Sequence, residues 1–434
     1  MTNLTLASNS RITLRAASAA LTFAALLGVL AASSVQAQTL VSSAQAADQY
    51  QILHYFASTG YGPGSGLVAD SDGNLYVTTY FSSPDTCGEQ GCGTVFKLTR
   101  RSGGKWSYTI IYHFQLSDGQ GPESNLIFDA SGNLYGTATG GGASNTGTVF
   151  ELSPSGNMWK IKVLYSFGNP PDLTSPWGAL TFDARGNLYG SANGGGAYYE
   201  GGVFELKRSG DQWKERIIHN FTGSDGGVPG EVNLAWDSAG DLYGTAQAGG
   251  RYGSGVVYKL APSSGGSWIE KVLYNFTGNS DGGDPTSGVI FDANGNLYGT
   301  ASGGGMQVCG IGPTYYYCGT IFELTPSTGK WKFHLLHAFD GSDGWSPFFG
   351  LILSSAGSLY GTAASGGPDN YGVVFRLSQS GDSWTETMLH FFDSKDGSTP
   401  QGLILDQHGT LYGTAYDGGG GPPSGYGVVF SVRP

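Results

Sequence analysis

Apolar and polar positions alternate in short runs along most of this chain, and the runs return in a fixed order. In one stretch Leu126, Ile127 and Phe128 lead through Asp129 and a Gly-Asn turn to Leu134 and Tyr135. A Gly-rich loop follows, then Val149, Phe150 and Leu152, then a Ser-Pro-Ser-Gly turn and a run from Trp159 to Phe167. Short alternating runs rich in aromatic and β-branched residues, bounded by Gly, Ser, Asn and Pro, predict strands rather than helices. Each stretch therefore predicts four strands.

The dipeptide Leu-Tyr marks the period. It stands at Leu75, Leu134, Leu188, Leu242, Leu297, Leu359 and Leu411, at intervals of 59, 54, 54, 55, 62 and 52 residues. The last strand of six units runs from a Trp to a Phe eight residues on, beginning at Trp106, Trp159, Trp213, Trp268, Trp331 and Trp384. Eight is even, so both ends of that strand are expected on one side of its sheet. Four-stranded units repeated radially predict an all-β fold, a seven-bladed β-propeller. The seventh unit stops after its third strand, near Val432, whereas residues 50–56 form an orphan strand matching residues 161–167. The N-terminal strand is expected to complete the last blade, which closes the ring and removes exposed sheet edges.

Residues 1–37 read differently. Arg11 and Arg15 precede an apolar run over residues 17–32, and Val35-Gln36-Ala37 fits a small-x-small cleavage site. This predicts a secretory signal peptide over 1–37, a short leader over 38–49 and the propeller over 50–434. The apolar run is shorter than the roughly 20 residues of a membrane span. Cleavage after Ala46 is the alternative to cleavage after Ala37.

Composition narrows the classes further. With 74 Gly, 13% aromatic and 12% charged residues, the chain has the turns and apolar groups of a many-stranded fold and excludes coiled coils. Loss of Arg11 and Arg15 leaves 19 basic against 33 acidic side chains, a net charge of −14. Nucleic acid and anionic lipid surfaces repel such a protein. The expected partner is an extracellular ligand, glycan or protein, bound by a monomer with no nucleic acid, no membrane insertion after signal cleavage and no cofactor.

The recurring Asp-x-x-Gly-Asn-Leu-Tyr-Gly-Thr-Ala, the Gly-Gly-Gly run and Gly-Thr-Val-Phe-Glu-Leu resemble the GloVer tandem repeat of secreted or surface bacterial choice-of-anchor proteins. Residues 292–301, 303–305 and 319–324 form one close copy, and the resemblance covers residues 50–434. It implies an exported repeat protein and carries no activity. Members of that family often end in a sorting anchor. This chain ends Val432-Arg433-Pro434 without an apolar tail, so release rather than covalent retention is expected.

Residue types found in every unit are expected to build the scaffold. The Asp after the first strand (Asp70, Asp129, Asp183, Asp237, Asp292, Asp406; Ser354 in the sixth unit) suits a turn whose backbone N–H groups it accepts. His or Tyr stands two before each final Phe: His54, Tyr112, Tyr165, His219, Tyr274, His337 and His390. One position on separate blades cannot converge on one metal, so no metal site is expected, and the pairing of these groups across blades stays open. Asp118, Asp225, Asp281, Asp343 and Asp396 sit in Asp-Gly loops without the dense oxygen donors of a calcium site. Cys87 with Cys92, and Cys309 with Cys318, are expected as two local disulfides in an exported protein; a zinc site shared by all four cysteines would need loops of non-adjacent blades to meet.

The positions that do not repeat are the candidates for function. Three places before the first apolar residue of the inner strand stand Gly64, Glu123, Trp177, Glu231, Thr286 and Phe348; in the shorter seventh unit Pro400 takes the place and Gln401 follows. This position is expected to ring the mouth of the central channel, on the face carrying the longer loops. Glu123, Trp177, Glu231, Phe348 and Gln401 are the candidate ligand-binding residues, with aromatic planes for sugar rings or peptides and carboxylates for polarity. Trp345, Tyr198, Tyr199, Tyr315, Tyr316 and Tyr317 are neighbouring candidates. No catalytic residue is assigned, and a non-catalytic binding or scaffolding module is the expected function. The alternative is a lyase or hydrolase acting on a polysaccharide or lactone, with Glu123 and Glu231 sharing acid and base roles. Adhesion between cells or matrix is a third possibility.

Overall fold

The computed structural model describes residues 49–434 apart from 58–59, 83–86, 157, 211, 231–232, 310–315 and 421–424. The expected signal peptide and all but the last residue of the expected leader lie outside the described residues, as does Glu231. The chain separates into Met1–Gln51, of which only residues 49–51 are described, and Ile52–Pro434. The second unit is a seven-bladed β-propeller of four-stranded antiparallel sheets. No helix among the described residues is long and apolar enough to cross a membrane.

Blade 2 shows the plan. Its strands are Ile127–Phe128, Leu134–Ala138, Thr148–Ser155 and Met158–Ser166, paired in that order from the channel outwards. The inner strand is shorter than its apolar run because residues before it bond sideways: Asn125 Oδ1 accepts the backbone N–H of Gly66, in blade 1, at 2.7 Å. In the third strand Val149, Phe150 and Leu152 are fully buried, since neighbouring blades cover both faces. The glycine of Leu-Tyr-Gly makes room for the third-strand ring: a Cβ on Gly136 would lie 2.7 Å from Phe150 Cζ.

The outer strand departs from the even-spacing expectation. Val163 pairs with Phe150 but Tyr165 with Val149, so Leu164 is an extra residue, a β-bulge. Equivalent shifts occur in blades 1, 3, 4, 5 and 6. A bulge changes which side the following residues face. Trp159 therefore packs on Tyr76 of the preceding blade, whereas Phe167 packs on Phe204 of the following one. The two ends of the strand face opposite neighbours, not one side.

The forward-facing Phe makes the same near-perpendicular contact at every joint. The pairs are Phe114–Phe150, Phe167–Phe204, Phe221–Tyr258, Phe276–Phe322, Phe339–Phe375 and Phe392–Phe430, with ring centroids 5.0 to 5.5 Å apart. Each is worth about 0.5–1.5 kcal/mol beyond the area buried. Phe56–Phe96, at 5.3 Å and 71°, is the seventh pair and closes the seam. There the strand Tyr50–Tyr55 takes the outer place beside Val428–Val432, and Phe56 N–H donates to Gly427 O at 3.0 Å. Thr414 Oγ1 of blade 7 donates to Ser65 O of blade 1 at 2.9 Å.

The recurring Asp builds the turn after six of the inner strands, and Ser354 takes its place in blade 6. Asp129 Oδ1 accepts the N–H groups of Ser131 and Asn133 at 2.8 and 2.9 Å, and Oδ2 accepts from the Tyr135 hydroxyl. Cys87–Cys92 and Cys309–Cys318 are both disulfide-bonded.

Candidate functional site

The loop before each inner strand and the Gly-rich loop of the same blade share one face, shown by the backbone bridges Gln120–Gly140, Gly227–Ala248, Gly283–Gly303 and Trp345–Ser365. Each inner strand is entered through an X-Pro pair. The residue before Pro holds a left-handed backbone in all seven blades: Gly62, Gly121, Ser175, Val228, Asp284, Ser346 and Thr399, with φ from 48° to 62°. L-residues avoid this region, most of all β-branched ones. The conformation is pinned from both sides. Asp284 N–H donates to Ser254 O of blade 4, while Asp284 O accepts from Ser302 N–H of blade 5. The prolines then wedge against a glycine of the preceding blade; a Cβ on Gly147 would lie 2.3 Å from Pro176 Cδ. In blades 2, 3 and 6 the residue after Pro, Glu123, Trp177 or Phe348, reaches the channel.

Glu123, Trp177 and Phe348 meet at the channel with Ser65, Asn125, Asn233 and Ser287. Trp177 Nε1–H donates to Glu123 Oε2. Glu123, Phe348 and Gln401 also line a wider cavity of about 750 Å³ that opens on the loop face. Burial pushes the Glu123 carboxyl up to about 7, and the hydrogen bond from Trp177 partly opposes the shift. Gln401 is buried and donates to Thr399 O at 3.1 Å, so its side-chain amide serves the loop. Phe348 is 39% exposed. Tyr317 and Trp345 line the same cavity; Trp345 is steadied by a 2.9 Å bond to Asn370 Oδ1. Tyr198 and Tyr199 are exposed and are not among its lining. Tyr315 lies outside the described residues.

Among the lining residues that the sequence does not single out, Asp284, Phe349 and Tyr416 carry an ionisable or aromatic side chain. Burial raises the Asp284 carboxyl above its ordinary value and pushes the Tyr416 hydroxyl up to about 12, with Glu123 the next cause. A signal existed. The place after Leu-Tyr-Gly-Thr-Ala, and the matching place in blades 1 and 3, reads Tyr80, Thr139, Asn193, Gln247, Ser302, Ala364 and Tyr416. It varies as the chosen position does, and its last three members line the cavity.

At the outer edge, the His or Tyr before the final Phe meets an Asp of the following loop in blades 1 to 6, whereas His54 Nε2, at the seam, is buried without a hydrogen-bond partner. Tyr112 donates to Asp118 at 2.7 Å and Tyr274 to Asp281 at 2.8 Å; His337 and His390 lie 2.9 Å from Asp343 and Asp396. The same carboxylates accept backbone N–H groups of their own loops, as Asp118 does from Gln115.

A family model for the Gloeobacter/Verrucomicrobia repeat matches residues 19–170, 159–312 and 310–434. The chain belongs to the Gloeobacter/Verrucomicrobia repeat family. Comparison with curated proteins returns no match. Solved structures similar to this repeat protein include a proposed 6-phosphogluconolactonase of Bacteroides uniformis (12% identity, 77% of this chain and 86% of that one, TM-score 0.49). A protein of Lactobacillus plantarum matches at 17% identity over 78% and 88% of the two chains, TM-score 0.49. A proposed oxidoreductase (glucose dehydrogenase) of Thermus thermophilus matches at 12% identity over 88% and 99%, TM-score 0.43. At these identities no activity passes from them to this repeat protein.

Proposed function

We propose that this repeat protein is an exported, non-catalytic binding module that takes a neutral carbohydrate at the channel mouth. One observation carries the reading. The mouth cavity joins five aromatic side chains (Tyr317, Trp345, Phe348, Phe349 and Tyr416) to the acceptors Glu123 and Asp284, and among the described residues no Lys or Arg lines it. Aromatic faces pack against the apolar faces of sugar rings, and carboxylates accept from their hydroxyls. The absence of cations from the lining disfavours phosphorylated or uronate ligands. Its volume lies in the range of small-ligand sites, about 300–1,000 Å³. Export is supported by the signal-like segment over 1–37 and by the two disulfides, which an oxidising compartment permits. A glycan array followed by calorimetry tests the reading. Wild type binds a neutral glycan, and Trp345→Ala and Phe348→Ala each weaken it at least tenfold. Unchanged binding in both variants, or binding of peptides alone, overturns it.

A second reading rests on Glu123, whose carboxyl near 7 suits a general acid at neutral pH. It makes the mouth the site of a polysaccharide lyase or hydrolase. Turnover of a bound glycan by wild type, lost in Glu123→Gln while binding persists, would favour it.

A further inference from the structure

The joint between blades 5 and 6 gathers three side chains that the mouth does not use. His337 lies on the outer strand Lys330–Ala338, Asp343 in the loop that follows, and Glu386 on the outer strand Ser383–Phe391 of the next blade. His337 Nε2 is 2.9 Å from Asp343 Oδ2 and 3.3 Å from Glu386 Oε2. All three donor atoms lie within 4.8 Å of one another. The Glu386 side chain is only 10% exposed, and its Oε1 is buried with no hydrogen-bond partner. A buried carboxylate is tolerated when it is paired or ligates a metal.

We propose that His337, Asp343 and Glu386 form a zinc site that clips blade 5 to blade 6. One imidazole and two carboxylates are a donor set that zinc accepts. Bonds of about 2.0–2.2 Å in a tetrahedron place donors about 3.4 Å apart, close to the 2.9 and 3.3 Å observed. Calcium, which takes six to eight oxygens, does not fit a trio containing imidazole. Asp343 is oriented from outside the trio, because its Oδ1 accepts the backbone N–H of Asp340 at 2.9 Å; metal ligands are commonly steadied in this way. The other joints serve as internal controls. Between blades 3 and 4 the acid Glu270 belongs to the next blade's outer strand, and His219 stands 3.4 Å from Asp225; between blades 2 and 3, Tyr165 replaces the imidazole beside Asp172. Among the described residues only the 337/343/386 trio draws together within the same limit.

The test uses the full chain, stripped with chelator, titrated with zinc chloride by calorimetry and with cobalt(II) by visible absorption. One ion binds per chain with micromolar or tighter affinity, and cobalt gives the intense band of a tetrahedral site. At a free zinc concentration about 100 times Kd, Tm rises by about 3 °C. Glu386→Gln and His337→Gln each weaken zinc at least tenfold and abolish the cobalt band, whereas His219→Gln leaves both unchanged. Asp343→Asn is the further variant if either of the first two fails to fold, as judged by circular dichroism in chelator. The proposal is overturned by three results: no zinc heat and no Tm rise in wild type, full affinity in the folded trio variants, or calcium binding as tightly as zinc.

Discussion

Glutamine in place of Glu123 removes a carboxyl that the channel holds far from its ordinary range. Raising it from 4.5 to about 7 costs the ionised folded form about 3 kcal/mol, at about 1.4 kcal/mol per pKa unit. The sign follows from proton counting. Below pH 4.5 the group is neutral in both states. Between pH 4.5 and 7 the unfolded chain releases its proton while the folded chain keeps it, so stability falls as pH rises; above 7 the loss is complete. Other buried acids titrate in the same window, among them Glu215 and Glu270, each pushed up to about 7 by burial. The informative quantity is therefore the difference between wild type and Glu123→Gln. That difference should move by about 3 kcal/mol in favour of the variant from pH 4 to pH 8. Over Ile52–Pro434, at about 2.1 cal/mol/K per residue, this is about 4 °C in Tm. Calorimetric melting at fixed ionic strength reads it. Parallel Tm–pH curves for the two proteins would refute the claim that Glu123 is desolvated.

Trp177→Phe removes the donor to Glu123 and should make the wild-type loss of stability above pH 7 larger, read by the same melts. Gly147→Ala, which sets a Cβ 2.3 Å from Pro176 at φ +110°, should cost about 3 kcal/mol or more in urea unfolding. Gly186→Ala, at φ +81° with open space around it, should cost only about 1 kcal/mol. Ser175→Gly should gain about 0.5–1 kcal/mol in the same assay, because Ser175 is exposed and holds φ +54°, where an L-residue is strained by about 1–2 kcal/mol and glycine gives back part of that in chain entropy. Phe56→Ala should cost about 3–4 kcal/mol. Deleting residues 50–56 should expose the edge of Val428–Val432 and yield aggregates in size-exclusion chromatography; a monodisperse deletion with wild-type Tm would contradict the seam.

The ring was legible because seven near-copies of one pattern leave few alternatives, and the orphan strand at residues 50–56 pointed to the seam. Counting parity from Trp159 to Phe167 failed, since an inserted residue such as Leu164 changes no feature of composition. At the mouth, a position that varies among otherwise constant units led to Glu123, Trp177 and Phe348. The same rule applied one place after Leu-Tyr-Gly-Thr-Ala would have reached Tyr416. Gln401 shows the rule's weakness, as its amide is used by its own loop. Glu386 was hidden for another reason: its partners His337 and Asp343 belong to the blade before it, and acids fill that place only at Glu215, Glu270 and Glu386. Proximity across blades is set by packing and not by spacing along the chain.

The bulge gives blades 1 to 6 a plug on one side and a socket on the other. Contacts of that head-to-tail kind propagate by rotation, and they either close or climb into a filament. Here the last plug is Phe56 and the last socket holds Phe96. A fragment holding only some of the blades keeps one unfilled end of each kind. Two complementary halves, parted at the turn near residue 210, should find each other and rebuild the circle, while either half alone should string together with copies of itself.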